Sequence, residues 1–311
     1  MDKTGKTKYK GYAWILFGSI LFSTKAVMVK IAFRDTAIDA ISLLALRMLF
    51  AFPFFVVTGL ISLSKAKGNL PTTRQWLYIF ILGILGYYLS SLLDFLGLQF
   101  ITAGLERLIL FLYPTFVVLI NAVLFKEKIN RKQIWALGLS YFGLLITFWH
   151  EMHVGILPEH LVLGSSLIFL CAITFAGYIV GTGRLVKKVP PILFTSFSLI
   201  ASTAGVFIHY IISGKFGLND LHGNMVVYGM WLGIIATVIP NFLVSMGIKS
   251  IGANNAAILS AIGPVSTIIL AYFFLGEKMD FFQIIGTLFV ICGILLVTIK
   301  KRERIGNTKH G

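Results

Sequence analysis

Six charged side chains stand inside long apolar runs of this chain: Lys25, Lys30, Arg47, Asp94, Glu106 and Arg107. A charge at the centre of a lipid bilayer costs about 2.5–3.5 kcal/mol on insertion scales, so such residues face the interior of a helix bundle and mark ion or substrate pathways. Lys25 is the deepest. It lies about 13 residues into its run, roughly 20 Å at about 1.5 Å per residue, at or a little beyond the bilayer midplane. There it can line a pocket for an anionic group or serve as an ion-pair partner. Lys30 is five residues on, turned by roughly 140° and close enough to the surface to snorkel, so it is expected to be structural. Asp94 shares one helical stripe with Tyr87 and Ser91. Glu106 and Arg107 open the next run. Asp94, Glu106 and Arg107 are therefore the residues for proton coupling or for a static ion-pair network.

The elements that must hold these side chains follow from composition. Of 311 residues, 57% are hydrophobic and 13% charged, against about 45–50% and roughly 25% in soluble domains. Ten apolar segments approach or reach the length of about 20 residues that crosses a bilayer: 12–33, 40–63, 76–98, 102–125, 133–149, 161–183, 191–213, 225–247, 253–275 and 281–299. The expected fold is all-α, integral to the membrane, because helices satisfy their own backbone groups in lipid. The first run follows Lys3, Lys6, Lys8 and Lys10 but continues past signal-peptide length without a small-residue cleavage site, so it is expected to stay. Cys171 and Cys292 both fall in spans and imply no disulfide.

A net charge of +15 could suggest nucleic acid, but its distribution follows a membrane. With the N-terminus in the cytoplasm, the inner pieces hold Lys3 to Lys10, Lys65, Lys67, Arg74, Lys126, Lys128, Arg131, Lys132, Arg184, Lys187, Lys188, Lys249 and the Lys300 to Lys309 tail. The outer loops hold Arg34, Lys215 and Lys278. Positive residues gather on the cytoplasmic side, so both termini are expected in the cytoplasm and the chain in the cell membrane as a multi-pass protein. No nucleic-acid partner is expected.

Shifting the sequence by 150 aligns Pro114 with Pro264, Glu127 with Glu277, Gly97 with Gly247, Gly143 with Gly293, Thr24 with Thr174 and Arg34 with Arg184. The spacing predicts a duplication, with repeats at 12–149 and 161–300. Five spans per repeat is odd, so the second copy enters from the opposite side. Inverted repeats are the signature of secondary transporters with a midplane site between the halves. Pro114 and Pro264 are expected to kink the fourth and ninth spans and free carbonyls there.

These residues resemble the drug/metabolite transporter superfamily, in its EamA-type branch of ten-helix carriers. The run "FGSILFSTKAVMVKIAF" is similar to that family's first helix, with Phe17 where tryptophan is common and Lys25 as its lysine. "LALRMLFA" with Arg47 resembles the second helix, and the two proline-to-"EK" segments resemble the end of each repeat. The resemblance implies export or uptake of a small polar metabolite, such as an amino acid or related organic acid, through a central pocket. It also implies that the fifth and tenth spans pack away from that pocket, as scaffold or homodimer contact.

Substrate-contacting residues are expected among Lys25, Ser23, Tyr87, Ser91, Asp94 and Tyr113 of the first half and Tyr178, Asn241, Asn255 and Ser260 of the second. Under the same shift the second half places Val244 opposite Asp94 and Phe175 opposite Lys25, so the chemistry is asymmetric. "HEMH" at 150–153 is one residue short of the zinc-protease pattern, and "GTGRLVKK" at 181–188 lacks phosphate-loop spacing. No metal, cofactor or ATPase is expected. A channel-like facilitator and an intramembrane lipid-modifying enzyme are the rival classes. The enzyme would need a nucleophile and base, and His209, the one histidine within a span, shows no partner in the sequence.

Overall fold

The structure, a computed structural model, describes residues 3–66, 70–126, 129, 131–151, 158–185, 188–214, 223–251, 262–277 and 280–298. Among them every regular element is helical. α1 (Lys3–Asp35) turns quickly into α2 (Ala40–Lys65), because the Asp39 carboxylate accepts from the N–H of Ile41 at 3.0 Å and of Ser42 at 3.3 Å. That cap satisfies the orphan donors of the helix start. A capping box between Thr72 and Gln75 opens α3 (Thr73–Gly83). α3 runs through a π-helical segment, Ile84–Leu89, into α4 (Ser90–Gly97). Then follow α5 (Ala103–Leu110), α6 (Tyr113–Phe125), α7 (Arg131–Glu151), α8 (Pro158–Leu185) and α9 (Pro191–Ile212). α10 (Gly223–Gly233) passes through a second π-helical segment, Ile234–Val238, into α11 (Ile239–Ile251), and α12 (Ile262–Leu275) and α13 (Phe281–Thr298) complete the order.

Among the described residues, seven helical stretches are long and apolar enough to cross a membrane: Tyr9–Asp35, Ala40–Lys65, Thr73–Gly97, Ala103–Phe125, Glu159–Leu185, Pro191–Ile212 and Gly223–Val244. Ile262–Leu275 and Phe281–Gly293 are shorter apolar helices. Large apolar side chains such as Val123, Trp135 and Phe273 point outward, the pattern expected where the surrounding solvent is hydrocarbon.

Pro114 does more than kink its helix. It offers no N–H to the Leu110 carbonyl and its ring would crowd the turn before it, so α5 stops at Leu110 and α6 begins at Tyr113. The chain turns on short bonds from Leu112 N–H to the Ile109 carbonyl, 3.0 Å, and from Thr115 N–H to the Leu112 carbonyl, 2.9 Å. Pro264 differs. It is the third residue of α12, in a first turn where no intrahelical donor is required, and residues 252–261 just before α12 lie outside the described residues.

The two π-helical segments begin 150 positions apart, each directly after a glycine, Gly83 or Gly233. Both glycines meet backbone. A Cβ at Gly83 would fall 2.8 Å from Ser198 Cα, and one at Gly233 would fall 2.7 Å from the Arg47 carbonyl oxygen. Small residues let helices approach this closely.

The glycine contacts also correct the alignment of the two halves. A Cβ at Gly97 would lie 3.0 Å from the Gly164 carbonyl oxygen and 2.8 Å from Ile168 Cγ1; one at Gly247 would lie 3.2 Å from the Gly11 carbonyl oxygen and against Ile15. Gly11 with Ile15 therefore corresponds to Gly164 with Ile168, a shift of 153 on these helices against 150 for Gly97 and Gly247. At that shift Thr24 falls on Gly177 and Arg34 on Lys187, in place of Thr174 and Arg184 at a shift of 150. Tyr178, not Phe175, then stands where Lys25 does. α7 and α13, the expected scaffold helices, pack most extensively on each other, with Phe142 and Phe289 edge to face at 5.2 Å.

Candidate functional site

The charged residues of four different helices meet in the interior. Lys25 on α1 places Nζ 2.8 Å from Oδ2 of Asp94 on α4, with side chains 15% and 1% exposed. The carboxyl of Glu106, on α5, lies against that of Asp94 and faces Lys25 and Arg107. Glu106 is fully buried, and no backbone N–H, hydroxyl or cationic group donates to it. Its position follows from Thr102, whose hydroxyl caps α5 by accepting from the Leu105 N–H at 3.2 Å.

Two buried arginines flank the carboxyls. Arg107 donates from Nε to the Thr267 hydroxyl at 2.9 Å and from Nη2 to the Phe22 carbonyl at 3.0 Å, tying α5 to α12 and α1. Arg47 on α2 donates from Nε to the Thr237 hydroxyl at 2.8 Å and from Nη1 to the Ser91 hydroxyl at 3.2 Å, with its guanidinium 5.5 Å from the Phe95 ring centroid. Thr237 sits in the second π-helical segment, where its own hydroxyl donates to the Leu232 carbonyl at 2.8 Å. Hydroxyls and carbonyls satisfy guanidinium donors but leave the charge uncancelled. This cluster therefore carries Lys25, Arg47 and Arg107 against Asp94 and Glu106, one formal cation in excess.

The stripe read from the sequence is gathered here: Ser91 and Asp94 belong to the cluster, and Tyr87 accepts from the Tyr178 hydroxyl at 3.0 Å with rings 4.9 Å apart. Tyr178 thus sits beside the cluster from the second half. Tyr113 packs on Phe175 at 5.1 Å and on Phe111 at 6.0 Å. Ser23 joins α1 to α12 by donating to the Gly263 carbonyl at 3.0 Å as well as to the Ser19 carbonyl at 2.9 Å. Asn241 stands apart; its amide donates to the Thr237 carbonyl at 2.7 Å, and it lines a small cavity with Phe55, Ser196 and Phe242. Asn255 and Ser260 lie outside the described residues. His209 has a partner after all, with Nδ1 2.8 Å from the Tyr88 hydroxyl.

Thr237 and Thr267, which hold the arginines, carried no signal as lone threonines in apolar runs. Glu277 was visible only as part of the repeat. Its carboxylate accepts from the N–H of Ala103 at 3.0 Å and of Gly104 at 3.3 Å, at the start of α5. Lys30 beside it donates to the Ile101 carbonyl at 2.9 Å. Loop 98–102, α1 and the segment after α12 are thereby clasped at one end of the bundle. A carboxylate on a helix N-terminus stabilises by about 0.5–2 kcal/mol. Glu277→Ala should therefore raise opening of this end roughly tenfold, about 1.4 kcal/mol. The maleimide labelling rate of buried Cys171, in a Cys292→Ser background, reads that opening; an unchanged rate would show that the clasp does not limit access.

The model of the EamA-like transporter family matches the chain twice, over residues 9–149 and 162–299. The chain belongs to the EamA-like transporter family. Family membership makes it a multi-pass membrane transporter. It is 31% identical over 298 residues to the uncharacterized transporter YcbK of Bacillus subtilis, covering 91% of this chain and 92% of that one. An uncharacterized transporter of Archaeoglobus fulgidus is 25% identical over 92% of this chain and 95% of its own. The uncharacterized inner membrane transporter YicL of Salmonella typhimurium is 22% identical over 96% and 98%. A crystal structure of a protein 20% identical superposes with a TM-score of 0.64 over 97% of this chain and 99% of its own, a likeness of fold.

Proposed function

We propose that this EamA-like transporter is a secondary carrier that moves a small metabolite bearing a carboxylate, an amino acid or related organic acid, across the cytoplasmic membrane by alternating access. In this reading it has ten spans, cytoplasmic termini and two inverted halves of five helices, residues 12–149 and 161–300. Basic residues concentrated on one face support the orientation. The glycine and π-helix pairs that recur with near-constant shift support the pairing of the halves.

The observation that carries the substrate class is the buried cluster of three cations and two carboxyls. A buried cation in excess is unfavourable unless a ligand anion compensates it. Lys25 meets that anion in place of Asp94, with Arg47 beyond it and the Tyr87 and Tyr178 rings alongside. A lipophilic cation would instead want an unpaired carboxylate and an aromatic cage.

Comparing metabolites accumulated by cells with and without the protein identifies the substrate, and purified protein in liposomes then tests the site. Lys25→Gln should weaken substrate affinity by roughly tenfold to a hundredfold, the worth of a hydrogen bond to a charged group, about 1.5–3 kcal/mol. Lys30→Gln, a residue of the clasp, should leave affinity within about twofold, since it touches no part of the cluster. Wild-type affinity in Lys25→Gln would reduce Lys25 to a structural role. Saturable flux stimulated by substrate on the far side separates a carrier from a channel.

A further inference from the structure

Asp94 and Glu106 come from different helices, yet their carboxyls lie against each other in the interior. Both are fully buried, and neither oxygen of Glu106 receives a bond from any backbone N–H, hydroxyl or cation. Two carboxylates in contact repel, whereas one carboxylic acid and one carboxylate share a strong hydrogen bond. Around the pair stand Lys25 on α1, Arg107 on α5 and Cys171 on α8, while Arg47 on α2 faces Asp94. Of these only Lys25 makes direct ionic contact, and it does so with Asp94 alone. Lys25 cannot hold both Asp94 and a substrate carboxylate at full strength.

We propose that Asp94 and Glu106 form a proton-binding site whose occupancy decides whether Lys25 is held by Asp94 or released to the substrate. This rests on the carboxylate-substrate reading above and goes beyond it by naming the coupling ion. In the resting arrangement the two carboxyls hold one proton, so the excess of one cation counted with both ionised becomes two, and the remaining negative charge faces Lys25. A second proton, taken from the open side, converts that carboxylate to a carboxylic acid; no covalent bond other than O–H forms. The Lys25 ammonium then has no anion, and the substrate carboxylate replaces the one it lost. Counting the substrate's carboxylate and not its amino group, charge in the cluster is the same before and after the two arrive together. Proton and substrate therefore bind together and cross together. Leaving reverses the order, with the proton returning to water on the far side and Asp94 reclaiming Lys25.

Infrared difference spectra of purified protein without substrate test the proton site directly. A carboxylic-acid C=O band at neutral pH is expected in the wild type and is expected to be lost in Glu106→Gln, while a control at the exposed Glu159, Glu159→Gln, keeps it. Absence of the band in the wild type, or its survival in Glu106→Gln, would overturn the proposal. Liposomes containing a pH-sensitive dye test the coupling, with an equimolar mixture of the common L-amino acids as probe. Uptake by the wild type should acidify the interior, and Glu106→Gln, in which Asp94 keeps Lys25, should lose both uptake and acidification by at least about tenfold, some 1.4 kcal/mol. Amino-acid uptake without acidification by the wild type would overturn the coupling. No amino-acid flux at all in the wild type would overturn the amino-acid form of the substrate reading instead, and the infrared band would still decide the proton site.

Discussion

Valine placed at Gly83 or at Gly233 is expected to abolish the folded protein. At Gly83 the new Cβ would stand 2.8 Å from the Ser198 Cα, 2.9 Å from its carbonyl carbon and closer still to its oxygen. At Gly233 it would stand 2.7 Å from the Arg47 carbonyl oxygen and 3.2 Å from the Ala51 N. A flexible side chain could swing away from such a contact, but backbone cannot, so whole helices must separate. Overpacking against movable side chains costs about 1–3 kcal/mol; against backbone, with both β-branches to place, the cost should exceed that range and approach the whole stability of a typical domain, about 5–15 kcal/mol. Each glycine also stands at the entry to a π-helical segment, so pushing its helix outward displaces the Tyr87 side chain on one side or Thr237 on the other. Gel-filtration yield of detergent-extracted protein measures the effect. Gly138→Val is the control, since a Cβ there meets nothing within 4 Å. Normal, monodisperse yields for Gly83→Val would mean that the α3 and α9 backbones can part at little cost.

Much of the scaffold is legible in the sequence because hydropathy and capping are local. Apart from α1, which begins at Lys3, and α12, whose run starts outside the described residues, the helices lie within a few residues of the apolar runs, and Asp39, Thr72 and Thr102 begin α2, α3 and α5 as caps should. The proline at 114 predicts an interruption, and α5 does end at Leu110 before α6 begins at Tyr113. What the sequence could not disclose depends on contact between distant segments. A π-helical turn leaves no compositional trace, and it shifts every later side chain around the helix by the extra residue it inserts. The register of α1 against α8 is set by glycine contacts with α11 and α4, and so Lys25 corresponds to Tyr178 instead of Phe175. Lys25 and Asp94 could be recognised as buried charges, but that they are partners, 2.8 Å apart, is a property of the packing. The same holds for Thr237 and Thr267, ordinary in sequence and decisive in place.

Arg47→Met should leave the protein at least as stable as the wild type and yet deprive it of transport. Arg47 is 5% exposed, and its guanidinium donates to two hydroxyls, Thr237 and Ser91, and lies over Phe95. Losing it strands little, because the Thr237 hydroxyl keeps its own bond to the Leu232 carbonyl and methionine restores the apolar volume against Phe95. Replacing buried charge by apolar side chains of similar volume is often neutral or stabilising by about 1–4 kcal/mol, which outweighs the cation–π contact, about 0.5–2 kcal/mol. A residue kept for the fold would behave in the opposite way. If Arg47 is instead kept because a substrate anion approaches the excess cation, its removal should lower transport rate or affinity by at least about tenfold, some 1.4 kcal/mol, with no loss of folded protein. Arg47→Lys separates charge from shape: it keeps the cation but loses the planar fork that reaches Thr237 and Ser91 at once, so transport should recover in part. Thermal unfolding in detergent and flux in liposomes, measured on the same preparations, give both numbers. A destabilised Arg47→Met protein with normal flux per folded molecule would place Arg47 among the supports of the bundle and take it out of the substrate path.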